Sequence, residues 1–174
     1  MAEKKKVILT VARFSEQKDY DTNLSSCKEL LNLREDFVFW WVGTGKLFSK
    51  FQELIYDCPT YLLGQRDDVP KLLEDADIAF LPSLYEGCSN FLIEALSSGV
   101  PIVCSDIPEN REFFEGCALF VKPGDSQGFA EAIDLLLNDS NLRESFVKCS
   151  LEKRKTFKLQ NMVKAYEEVY IQLV

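Results

Sequence analysis

Two carboxylates set the chemical question. Glu86 and Glu94 stand eight residues apart in the stretch Pro82-Ser83-Leu84-Tyr85-Glu86-Gly87-Cys88-Ser89-Asn90-Phe91-Leu92-Ile93-Glu94-Ala95-Leu96. The stretch leaves an apolar run, crosses a glycine-containing loop and then takes helical spacing. Glu86 therefore falls in the loop and Glu94 in the first turn or so of the helix, and both can face one bound ligand. Ionised carboxylates accept hydrogen bonds from sugar hydroxyls. Between the two acids, the free N–H groups of Cys88, Ser89, Asn90 and Phe91 would point out of a helix N-terminus, an arrangement suited to phosphate oxygens. A plainer reading makes Ser89 or Asn90 a simple N-cap and Glu94 an exposed helix residue.

These residues need a scaffold, and the apolar pattern supplies one. Runs at 7–12, 37–42, 60–63, 78–81, 101–104 and 118–121 lack alternation and suit strands buried on both faces. Between them lie helical spacings such as Leu24, Cys27, Leu30 and Leu31, or Phe129, Ile133, Leu136 and Leu137. Alternating strands and helices predict a Rossmann-like, doubly wound α/β domain with a parallel sheet of about six strands. Gly43-Thr44-Gly45, Pro82-Ser83 and Pro123-Gly124-Asp125 punctuate the order, with Asp125 placed to cap the next helix. Ligands of such a sheet bind beyond the carboxyl ends of its strands, which is where Glu86 falls. We read 1–174 as one domain, with 1–5 a solvated leader and 141–174 a helical segment. That segment carries an apolar stripe of Met162, Val163, Tyr166, Val169, Tyr170, Leu173 and Val174.

Composition narrows the chemistry. The formal charge of −8 disfavours nucleic acid and anionic membrane as partners, so an anionic ligand must be held by local geometry. The absence of histidine removes Ser-His-Asp and Cys-His nucleophile systems and every histidine-containing zinc site. Six cysteines without C-x-x-C spacing read as reduced thiols of a cytoplasmic protein. No stretch approaches the ~20 apolar residues of a membrane-spanning helix, and 7–11 is too short for the core of a signal peptide. Asp75-Ala76-Asp77 spells a D-x-D, but it precedes its strand and so sits at the amino edge of the sheet, as a solvated turn rather than a metal site. Trp40-Trp41 lies inside a buried run and reads as packing.

The segment from Pro82 to Pro101 closely resembles the E-x7-E signature of glycosyltransferase family 4, in which P-S-x-x-E-G leads through a small-residue loop to E-A-x-x-x-G-x-P. Thr10-Val11-Ala12-Arg13-Phe14-Ser15-Glu16-Gln17-Lys18 resembles the family's G-R-x-x-x-x-K turn, with Ala12 where glycine is more frequent. Val42-Gly43-Thr44-Gly45-Lys46 resembles its glycine turn after the second strand, and the order of strands fits over roughly Lys6 to Leu137. The resemblance implies the C-terminal, donor-binding half of a two-domain GT-B enzyme that transfers a sugar from a nucleoside diphosphate donor, with retention and without a cofactor or bound metal. It further implies roles: Glu86 on the transferred sugar, Glu94 on the ribose, Arg13 and Lys18 on the diphosphate with the amides of Cys88 to Phe91, and Gly43, Gly45, Gln65 and Arg66 near the nucleotide. The partners implied are the nucleotide sugar and an N-terminal acceptor-binding domain, in cis or as a separate subunit, through which the protein could sit at the inner face of a membrane. A non-catalytic nucleotide-sugar-binding subunit and another GT-B activity such as an epimerase stay open as alternatives.

Overall fold

The computed structural model describes residues 4–157 and 159–172. Its six strands are β1 (Lys6–Val11), β2 (Phe37–Val42), β3 (Thr60–Gly64), β4 (Ile78–Leu81), β5 (Ile102–Ser105) and β6 (Ala118–Val121). The helices are α1 (Tyr20–Leu31), α2 (Phe48–Leu54), α3 (Val69–Asp75), α4 (Asn90–Ser98), α5 (Pro108–Phe114), α6 (Ser126–Asn138), α7 (Ser140–Lys153) and α8 (Leu159–Gln172), with a single 3-10 turn over Glu16–Lys18. All strand pairs are parallel, in the order β3-β2-β1-β4-β5-β6. The expected doubly wound fold is therefore the one observed, with its reversal of strand order between β1 and β4.

Period-two alternation divides the core into two faces. Ile8, Phe39, Trp41 and Phe80 point to one layer, where they meet Tyr20 and Leu24 of α1 and Phe129 and Ile133 of α6. Leu9, Ala79 and Leu81 point to the other, against Phe91, Leu92 and Ala95 of α4 and Phe114 of α5. Apolar residues on consecutive positions of the strands explain the continuous runs in the sequence.

The reversal point is held by a buried polar chain. β1 and β4 pair only at Ile8↔Ile78 and Leu9↔Ala79. Beyond that ladder the Thr10 hydroxyl donates to the Phe80 carbonyl at 2.8 Å, and it accepts from Asn23 Nδ2 at 3.0 Å. The Asn23 carbonyl in turn accepts from Trp41 Nε1 at 3.0 Å. Every member is buried or half-buried and partnered, as an interior polar group must be. Trp41 is thus packing with a tethered N–H, while Trp40 is half-buried in the opposite layer.

One expectation needs correction. Cys117, before β6, and Cys149, on α7, form a disulfide across 32 residues of sequence, so they are not reduced thiols. Their elements meet only in three dimensions, which C-x-x-C spacing cannot report. The helical segment expected from 141 holds α7 and α8. Its stripe residues Met162, Val163, Tyr166, Val169 and Tyr170 are exposed on α8, while Leu173 and Val174, like 1–3 of the leader, lie outside the described residues. No helix among the described residues is long and apolar enough to cross a membrane.

Candidate functional site

The chain leaves β1 through a tightly built loop. Phe14 is fully buried and stacks on Tyr20 with ring centroids 3.9 Å apart, and the Tyr20 hydroxyl donates to the Ala12 carbonyl at 3.2 Å. With its neighbours anchored inward, Arg13 between them is exposed at the sheet edge. The 3-10 turn closes through Lys18 N–H to the Ser15 carbonyl (3.1 Å), and Asp19 follows with φ 45°, the one non-glycine residue at positive φ among those described. Aspartate tolerates that conformation because its side chain bonds locally. Asp19 accepts from Thr22 N at 3.1 Å and from the Thr22 hydroxyl at 2.6 Å, capping α1 and fixing the backbone that carries Lys18.

This turn is laced to the loop after β4. Leu84 N–H donates to the Gln17 carbonyl and Gln17 Nε2 donates to the Tyr85 carbonyl, each at 2.9 Å. Lys18 Nζ donates to Glu86 Oε1 at 2.5 Å, with 16% of the lysine and 5% of the glutamate side chain exposed. Two segments 68 residues apart thus converge at the β1/β4 reversal, where a parallel sheet binds its ligands.

Past Glu86, Ser89 caps α4 by accepting from Leu92 N–H at 3.4 Å. The amides of Cys88, Ser89, Asn90 and Phe91 donate to no acceptor among the described residues, which leaves them available to an anion at the helix N-terminus. Phe91 and Ser89 are buried, so they can contribute backbone alone. Cys88 is exposed, and partial burial of its thiol, followed by the Glu112 and Glu86 charges, pushes its pKa up. Glu94 lies on the exposed side of α4, and desolvation raises its carboxyl above the usual glutamate range. Its carboxylate bonds to no other candidate residue among those described.

The glycine turn after β2 works by approach. Gly43 (φ 131°) and Gly45 (φ 156°) press against the β1 loop so closely that an added Cβ would lie 2.0 Å from the Ala12 carbonyl oxygen and 2.4 Å from that of Phe14. Phe14 N–H donates to the Thr44 carbonyl (3.0 Å) and Leu47 N–H to the Phe14 carbonyl (3.2 Å). Only residues without a Cβ permit this lacing.

Two adjoining clefts result. One of about 510 Å³ is lined by Arg13, Lys18 and Lys46 with Ser15, Gln17 and Tyr85, and by Glu16 as its only lining acid among the described residues. The other, about 310 Å³, shares Arg13 and is lined by Gly43, Gln65 and Arg66 against Val11 and Val42. Arg66 spends its Nε and one terminal nitrogen on Asp68 (2.8 and 2.6 Å), so it is already engaged. Lys46, Gln17 and Tyr85 line the larger cleft and Asp19 braces the turn that carries Lys18, and none of the four was among the residues singled out from the sequence. Asp19 alone carried a local signal, an aspartate three residues before Thr22 at a helix start. Asp77, by contrast, accepts from Val7 N–H (2.9 Å) and Lys6 Nζ (3.0 Å) at the amino edge, where it anchors β1 rather than merely facing solvent.

The family profile described as "Glycosyl transferases group 1" matches residues 1–153. The chain belongs to that family. Among curated relatives of this group 1 transferase domain, the Escherichia coli "UDP-Gal:alpha-D-GlcNAc-diphosphoundecaprenol alpha-1,3-galactosyltransferase" is 30% identical over 155 residues, covering 82% of this chain and 39% of the relative. The "Lipopolysaccharide core biosynthesis glycosyltransferase LpsE" of Rhizobium meliloti is 27% identical over 175 residues, covering 97% and 49%. The chain therefore spans less than half the length of these relatives. In fold, it superposes on S. aureus TarM in complex with UDP at a TM-score of 0.88 (21% identity, 97% of this chain, 36% of that one). It matches Anabaena Alr3699/HepE in complex with UDP-glucose at 0.88 (19% identity, 97% and 49%).

Proposed function

We propose that the chain is the nucleotide-sugar-binding half of a retaining glycosyltransferase of family 4, acting in glycan or polysaccharide biosynthesis. The observation that carries this reading is the convergence of Arg13 and Lys18 on one cleft at the strand-order reversal, with Glu86 bonded to Lys18 and free α4 amides following on the same loop. In the proposed reaction the bond from the anomeric carbon to the diphosphate breaks and one to an acceptor hydroxyl forms. Charge builds on the departing diphosphate, where Arg13, Lys18 and the amides of Cys88 to Phe91 would stabilise it. Glu86 would accept from a hydroxyl of the transferred sugar and Glu94 from the ribose. Gln65, Arg66 and Gly43 would border the nucleoside in the smaller cleft, with Gly45 next to it in the turn that packs on Phe14. We assign no metal, since Asp77 of the D-x-D at 75–77 is occupied at the far edge of the sheet, while in the second D-x-D, at 19–21, Asp19 is engaged by Thr22 and Asp21 by Lys50.

The names of the two curated relatives support a sugar-transfer role, and the share of their length that the chain spans supports a second, acceptor-binding half. We place the reaction on the cytoplasmic side of a membrane, through that other half. A thermal-shift panel of UDP, GDP, ADP and their sugars tests the class and the base together. A ligand at ~100 times its dissociation constant should add ~2.7 kcal/mol of stability. No shift with any member would remove the reading.

A further inference from the structure

Lys18 is the cation that the family resemblance would send to the diphosphate, yet here it is bound to Glu86. Among the described residues, Arg13 and Lys46 are the cations of the cleft that make no ion pair. They come from different strands, β1 and β2, and the glycine turn brings them together: Gly43 and Gly45 let the chain after β2 lie against Ala12 and Phe14, and the bonds through Thr44 and Leu47 fix it there. Lys46 sits between those last two anchors. Its backbone is therefore fixed relative to Arg13, while its ammonium is exposed on the cleft. In a chain of charge −8, two unpaired cations held on one rigid seam form a local field that attracts an anion.

We propose that Lys46 is a further ligand of the donor's diphosphate, which it captures together with Arg13. The assignment rests on the donor-site reading above and adds a residue to it. It also gives the glycine turn a purpose, because replacing the turn would displace the lysine from the arginine.

The test is calorimetric titration of the 174-residue chain with UDP, GDP and ADP and with the matching nucleosides, comparing wild type, Lys46→Ala, Lys46→Arg and, as a charge-matched control, Lys148→Ala on α7. Charge-assisted hydrogen bonds to phosphate are strong enough that Lys46→Ala should lose about tenfold or more for the preferred diphosphate. Nucleoside binding should stay within about twofold, Lys46→Arg should restore most of the loss, and the control should match wild type. If wild type prefers a diphosphate to its nucleoside and Lys46→Ala retains that preference, or if the control loses as much, the Lys46 assignment is wrong and the donor site stands. If wild type shows no preference for any diphosphate, the donor-site reading falls and the Lys46 assignment with it.

Discussion

At the scale of residues, the Lys18–Glu86 pair governs what substitutions should do. Both side chains are largely buried, so their attraction is weakly screened and each fixes the other's position. If Glu86 contacts the sugar, its removal should separate sugar from nucleotide. Glu86→Gln keeps a hydrogen-bond acceptor beside Lys18 but releases the ammonium from a full counter-charge. We expect nucleoside diphosphate binding to be unchanged or tighter, while the extra affinity of the nucleotide sugar over the diphosphate disappears. Paired titrations with the diphosphate and its sugar check this, and equal losses for both would make Glu86 a structural residue. Neither Glu86 nor Lys18 revealed its partner in the sequence, since 68 residues separate them and each taken alone is an ordinary loop charge.

Elements were more legible than contacts. Apolar runs located all six strands to within a residue or so because a strand covered on both faces must be apolar at successive positions. The offsets have causes: β1 begins at Lys6 because its N–H donates to the Asp36 carbonyl at 2.8 Å and the residue pairs with Phe37. Asp125 caps α6 through Gly128 N–H at 2.9 Å, as its position before the helix predicted. What stayed hidden came from tertiary proximity, namely the Cys117–Cys149 bridge, the Gln17 clamp and the place of Lys46. Gly43-Thr44-Gly45 was visible as a turn but not as a seam. Gly45→Ala would put its Cβ against the Phe14 carbonyl in a conformation that L-residues rarely adopt, at a cost of roughly 1–3 kcal/mol. We therefore expect a lowered denaturation midpoint together with weakened diphosphate binding. A variant as stable as wild type would show that the seam is loose.

On the scale of the whole molecule, a net charge of −8 and a cleft lined by three cations and one acid describe a protein that repels anions in general and accepts them at one edge. That edge is the β1/β4 reversal. Holding an acceptor hydroxyl against an anomeric carbon can be worth ~7 to 11 kcal/mol of barrier, and a single open cleft does not enclose two reactants. Binding of the donor nucleotide is thus the property to look for in this chain by itself. The most direct measurement is amide-resolved NMR during titration of the isotope-labelled chain with the nucleoside diphosphate that gives the largest thermal shift. The account predicts perturbations concentrated at Arg13 to Lys18, Gly43 to Lys46 and Cys88 to Phe91, with the amino edge around Asp75 to Asp77 silent. Saturable perturbations centred on the amino edge, or on α7 and α8, with those three segments unmoved, would contradict it.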